Sequence, residues 1–264
     1  MVSSVRGYII YNKDDAKRNE NYIGWYIEKF KNKGVRLELI YTDEIDYENV
    51  PDFAIVRAIR PDITKRLERN GVRCFNNSFV SEICNDKALT YKYVSERGVE
   101  IMPTYYSTEE VKSFPVVIKP KNSHGGDRVN MAESYDELMK LMPLYEGSNY
   151  VIQDVASDRG KDLRVYIIGN KIITAVLRES KTDFRSNFCL GGQASVYNLN
   201  SEEIKEVEKI TKIFDFDFVG IDFVFDDGKI IFNEIEDVVG SRMVYTYTDI
   251  DIVDIYIKYL LTKL

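Results

Sequence analysis

A chain of 264 residues with 44% apolar and 12% aromatic side chains can hold one large domain or two or three small ones, and disorder is excluded. Its 43 acidic and 36 basic residues give a net charge of -7 with no basic run, so nucleic acid is not an expected partner. Three scattered cysteines, Cys74, Cys84 and Cys189, and a single histidine, His124, exclude a disulfide framework and a histidine-ligated zinc site.

"GYIIY" from Gly7 reads as a buried strand, and Ile23, Tyr26, Ile27 and Phe30 follow at helical spacing before Gly34 ends the helix. "VRLELIY" and "DFAIVRA" are further strands, "PDITKRLERNG" is a short helix entered by proline and left by glycine, and "VRCF" is another strand. Strands alternating with helices predict a small parallel α/β domain over residues 1–85. From Asn76 a loop, a helical turn and a longer helix closing at Gly98 cross a boundary near Lys87.

Hairpins then replace the alternation. "PVVIKPK" pairs with "RVNMA", the helix "SYDELMKLM" follows, and "NYVIQDV" is a strand. "LRVYIIGNKIITAVLRE" is a hairpin turning at Gly169 and Asn170. The helix "SEEIKEVEKITKIF" has Ile204, Val207, Ile210, Ile213 and Phe214 on one stripe, and the hairpin "FVGIDFVFDDGKIIFNEIE" leads to the helix "DIVDIYIKYLLTKL". The expected units are therefore 1–85, 86–150 with Lys119 and a glycine-rich loop, and 151–264 with the acids of the last hairpin. No segment reaches the roughly 20 apolar residues of a membrane helix, and "MVSSVRGYIIYNKDD" lacks the apolar stretch of a signal peptide, so a cytoplasmic protein without a membrane partner is expected.

The last hairpin carries Asp222, Glu234 and Glu236, although acids are depleted in strands and costly inside a fold. A two-residue turn at Asp227 and Gly228 would set Asp222 opposite Asn233, on the other face from Glu234. A three-residue loop with Gly228 in the left-handed position instead pairs Asp222 with Phe232 and puts all three acids on one face, which is the expectation adopted. Converging carboxylates repel unless a cation meets them, and oxygen-only ligands favour Mg²⁺ or Mn²⁺. Acids at strand ends facing water are the alternative that spacing leaves open.

Lys119 lies within an apolar strand, where its charge calls for an anion, ahead of a loop with Gly125 and Gly126. Lys87 on its own reads as a solvated helix lysine, and Arg185 in "DFRSN" either clamps a phosphate or pairs with Asp183. Arg242 either binds a substrate carboxylate or faces solvent, and Arg57 and Arg60 either attract an anionic substrate or are solvated.

In order along the chain, "NDK", "VVIKPKNSHGG", "VIQD", "KDLR", "DFRSN", "GIDFV" and "NEIEDVVG" resemble the ATP-grasp superfamily over about Asn76 to Leu264, and within it the RimK-type carboxylate-amine ligases. The resemblance implies an ATP-grasp fold, α+β in its C-terminal part, preceded by a small Rossmann-like α/β domain. It implies that Lys87 and Lys119 contact ATP phosphates, that Gln153, Asp154 and Val155 line the adenine, that Asp162 is near the nucleotide, and that Arg185 and Asn187 serve the transferring phosphate. Asp222, Glu234 and Glu236 would bind two Mg²⁺ ions, with Mn²⁺ as an alternative.

The implied activity joins a small-molecule or peptide carboxylate to an amine through an acylphosphate, releasing ADP and phosphate, and a homo-oligomer is compatible with it. A kinase-like phosphotransferase and a non-catalytic nucleotide-binding module are the alternatives. The chain departs from the family pattern in having Glu236 where asparagine is usual, "DVVG" where Ser-Pro-Gly is usual, and His124 and Asp127 in the glycine-rich loop.

Overall fold

The computed structural model describes residues 5–123, 128–180 and 193–264. Strands β1 (Arg6–Tyr11), β2 (Arg36–Tyr41), β3 (Phe53–Val56) and β4 (Arg73–Phe75) form a parallel sheet in the order β2-β1-β3-β4. Helices α1 (Lys13–Arg18), α2 (Glu20–Lys31) and α3 (Pro61–Arg69) are the crossovers and flanks. The segment after β1 is two helices, because Asn12 caps the first by accepting from the Asp15 N–H and Asn19 ends it.

Helices α4 (Ser78–Cys84) and α5 (Lys87–Ser95) lead into a second, antiparallel sheet of β5 (Thr104–Tyr105), β6 (Val116–Pro120), β7 (Asn130–Ala132) and β8 (Tyr150–Asp154), ordered β5-β8-β6-β7. Helix α6 (Tyr135–Leu141) packs Leu138 against Val116, Ile118 and Ile152 of this sheet. The third sheet joins β9 (Lys161–Ile168), β10 (Lys171–Glu179), β11 (Gln193–Tyr197), β12 (Phe218–Asp226) and β13 (Lys229–Glu236) in the order β11-β10-β9-β12-β13. On one face, α5 and α7 (Ser201–Thr211) bury Tyr91, Val94, Val207 and Ile210 against Val165, Ile221 and Phe232. Strand β11 and helix α8 (Arg242–Tyr247) were not expected from the sequence.

Helix α9 (Ile252–Leu261) covers the other face, and its Tyr256, Ile257 and Leu260 share a core with Ile9, Tyr26 and Phe30 of the first sheet and its helix. Buried Asn76 ties the same two regions together. Its amide donates to the carbonyls of Phe218 (2.9 Å) and Asp237 (3.1 Å), and its oxygen accepts from the N–H groups of Asp217 and Phe218.

The last hairpin corrects the expected loop. Asp226 pairs with Lys229, so Asp227 and Gly228 form a two-residue turn, both in the left-handed region with φ of 46° and 76°. Asp-Gly favours this tight turn because both central residues need positive φ. The register then slips by one between Phe232 and Glu234, and Asp222 pairs with Glu234, not with Phe232. Asn233 is the extra residue of this β-bulge. The acids reach one face as expected, through a bulge and not through the loop.

Among the described residues, no helix is long and apolar enough to cross a membrane. The Asp217 side chain is fully buried, accepts from Arg73 at 3.0 Å and from the Tyr259 hydroxyl at 3.0 Å, and burial pushes its carboxyl up to about 7 against the pull of Arg73. The unfolded chain would release this proton near pH 4. Its stabilising contribution is therefore complete below about pH 4 and is lost as pH rises through about 7. In urea titrations from pH 4 to pH 8, the stability of the wild type relative to Asp217→Asn should fall across that window and level off above it.

Candidate active site

The third sheet places charged residues on one face by register. Arg164 of β9 pairs across the strands with Asp222 of β12, Arg178 of β10 pairs with Asp162 of β9, and Asp222 pairs with Glu234 of β13. Arg164 grips Asp222 with two N–H groups, at 2.7 Å from Nε and 2.7 Å from Nη2, and reaches Glu236 at 2.6 Å. Arg178 donates to both Asp162 oxygens, one at 2.8 Å, and to Asp222 at 2.7 Å. Gly220 leaves the room for Arg164, since a Cβ there would lie 3.3 Å from the Arg164 Cδ and 2.8 Å from Val239.

Burial would push the Asp222 carboxyl up, but Arg164 and Arg178 hold it at about 2. Burial raises Glu236, with Arg164 only partly opposing it, whereas Lys87 holds Glu234 below the usual range despite burial. Oxygens of Asp222, Glu234 and Glu236 all lie within 4.8 Å of one another. Asp222 spends three of a carboxylate's roughly four lone-pair positions on arginine, so the cluster retains acceptor capacity for a hard cation. The donor set fits Mg²⁺ or Mn²⁺.

Two lysines face these acids. Lys87 opens α5, where Asp86 caps the helix by accepting from Ala88 and Leu89, and its Nζ donates to the Ser123 carbonyl and lies 3.3 Å from Glu234. Lys119 on β6 is 6% exposed and donates to Gln153 of β8 at 2.9 Å and to the bulged Asn233 at 3.2 Å. Burial, helped by the charge of Lys87, brings the Lys119 ammonium down to about 7. An ammonium so close to losing its proton is one that an incoming anion would stabilise.

One cavity collects Lys87, Lys119, Gln153, Asp154, Val155, Asp162, Asp222 and Glu234. Glu236 instead lines two cavities toward the first sheet. The N–H groups of Asp154 and Val155 are already given to the carbonyls of Pro103 and Pro115. Arg185, Asn187 and the loop with His124, Gly125, Gly126 and Asp127 lie outside the described residues. Arg60 pairs with Asp62, a partner neither of its two readings named, and lines a cavity with Arg57.

Sequence reasoning passed over Arg178 and gave Arg164 no role. A charge in the apolar strand "IITAVLRE" was the available signal, the same one that picked out Lys119. The hairpin's turn alone would set Arg178 opposite Lys161. A register shift between Ile172 and Thr174 moves it opposite Asp162.

A family model described as a RimK-like ATP-grasp domain matches residues 100–260. The chain is 29% identical to the uncharacterized protein MG011 of Mycoplasma genitalium, over 98% of this chain and 93% of that one. It is 26% identical to a probable alpha-L-glutamate ligase of Maridesulfovibrio salexigens, over 75% of this chain and 70% of the relative. Among solved structures, the ATP-grasp ligase PsnB complexed with minimal precursor superposes with a TM-score of 0.75 at 14% identity, covering 99% of this chain and 100% of that one. D-alanine--D-alanine ligase from Bacillus anthracis gives 0.75 at 16% identity, covering 98% and 97%. The fold is thus the expected one.

Removing one partner of a buried ion network leaves charges uncompensated. Arg164→Met should cost roughly 3–5 kcal/mol of stability, read from denaturant unfolding, and added MgCl₂ should recover more of the loss than NaCl at equal ionic strength.

Proposed function

This chain belongs to the RimK-like ATP-grasp family, and on that premise we propose that it is an ATP-dependent carboxylate-amine ligase forming an amide or peptide bond through an acylphosphate. The observation that supports this most is the cavity in which two buried lysines confront Asp222 and Glu234 of the carboxylate cluster. Lys119, whose partners are amide oxygens, and Lys87, which faces Glu234 of the cluster, suit phosphate oxygens, and the acids suit cations that accompany phosphates.

In this reading, Lys87 and Lys119 hold the ATP phosphates, with Gln153 and Asn233 keeping the Lys119 ammonium in place before ATP arrives. Gln153, Asp154 and Val155 border the adenine at the end of β8, and Asp162 orients Arg178 toward the same cavity. Arg185 and Asn187 act on the transferring group. Asp222, Glu234 and Glu236 would hold two Mg²⁺ ions, or Mn²⁺, which when bound supply charge neutralisation of the phosphates. The reacting partners are a small-molecule or peptide carboxylate, which takes the γ-phosphoryl group, and an amine, which displaces phosphate from the acyl carbon. Residues 1–85 carry part of the acceptor site, 86–150 the lid and 151–264 the metal site.

Incubation with ATP, Mg²⁺, pairs of amino acids or short peptides and hydroxylamine should yield a hydroxamate together with ADP. A phosphate ester without hydroxamate would identify the kinase-like alternative. Glu234→Gln and Lys119→Met should each lower kcat/KM for ADP release roughly 100-fold or more. Unchanged ADP release in Glu234→Gln would sink the metal assignment.

A further inference from the structure

Two buried polar atoms at the carboxyl ends of the first sheet's strands have no hydrogen-bond partner. Arg57 directly follows β3 and is 8% exposed; its Nη2 donates to the Val239 carbonyl at 2.8 Å, and its Nε is unsatisfied. Tyr11 ends β1 and is 2% exposed, and its hydroxyl lies beside the Arg57 guanidinium without a well-formed hydrogen bond. Among the described residues, Arg57 forms no ion pair. Asp237 feels its charge but accepts from Asn85 at 2.8 Å and from Asn76. A guanidinium buried without an anion is costly, so the missing anion is expected from outside the chain.

Arg57 and Glu236 line two cavities of about 570 and 610 Å³. The first includes Tyr11, and the second is walled by Tyr22, Trp25 and Tyr245, with the exposed Trp25 ring edge-on to Tyr245 at 5.4 Å. Ligands of open parallel sheets bind at this end of the strands. Through Glu236 the cavities reach the carboxylate cluster. Asp15 and Asp237 also line the first cavity, which favours a singly charged carboxylate over a phosphate dianion.

We infer that Arg57 and Tyr11 anchor a carboxylate of the molecule being ligated, an amino acid or peptide whose apolar part rests on Trp25 and Tyr245. The anchored carboxylate is not the reacting one, because the cavity of Lys87 and Lys119 includes neither Arg57 nor Tyr11. The inference rests on the ligase reading for the fate of this molecule, but its binding stands apart from turnover.

Trp25 is the only tryptophan of the chain, so its fluorescence reports on this cavity without ATP. The full chain is titrated with free L-amino acids and dipeptides, each beside its carboxamide. At least one acid should shift the emission saturably, and its amide should bind roughly tenfold or more weakly. Arg57→Gln should weaken the acid by the same factor and leave the amide unchanged, while Arg57→Lys keeps the charge and falls between. Tyr11→Phe, which preserves the ring in the core, should weaken the acid roughly threefold to tenfold. ATP binding by equilibrium dialysis should be unaltered in all three variants.

Equal binding of acid and amide, wild-type acid affinity in Arg57→Gln, or no response to any acid from protein that binds ATP would each overturn the assignment. An acid held at Arg57 by a chain that never releases ADP would refute the ligase reading and leave the anchor standing.

Discussion

Asp222 sits inside a five-stranded sheet with 1% of its surface exposed, and accepts three N–H groups from Arg164 and Arg178. This contact is the constraint on which the rest of the site depends. The two arginines keep Asp222 ionised in a place where burial alone would neutralise it. Arg164 continues to Glu236 and Arg178 to Asp162, so three acids from three strands are held by two guanidiniums. Such a network contributes little net stability, since desolvation offsets most of the attraction; what it fixes is geometry.

That geometry is useful because the cation side of the cavity is built elsewhere. Lys87 comes from the start of α5 and Lys119 from the second sheet, and both meet the acids only where the sheets face each other. Lys119 is tied to Asn233, the extra residue of the bulge that also turns Glu234 toward Asp222. One irregularity in β13 thus serves both the acid cluster and the lysine. On its other side, Glu236 opens toward the first sheet, which is locked to the third by a shared core and by Asn76. A cavity with two lysines and a cavity with Arg57 thus lie on either side of one charged strand.

Much of this was legible in the residues. The alternation of strands and helices before residue 76, the hairpins after it, and charges inside apolar strands such as Lys119 follow from periodicity and from the cost of burying charge. Arg178 carried the same signal as Lys119, yet its partner was hidden, because a register shift inside the β9–β10 hairpin moves it by one residue. The orphan Nε of Arg57 was beyond sequence reasoning, since an arginine beside a strand reads equally as solvated.

By itself, then, the sequence determined most of the strands, though not Gln193–Tyr197, and which side chains, Asp222, Glu234 and Glu236 among them, are chemically out of place. Only the tertiary structure decided how they meet. Local pattern has a period of two along a strand, and a single bulge residue reverses which face every later side chain takes. Whether a buried acid faces a metal, an arginine or both depends on neighbours far apart in the chain, such as Arg164 and Asp222, whose meeting is set by sheet order and register.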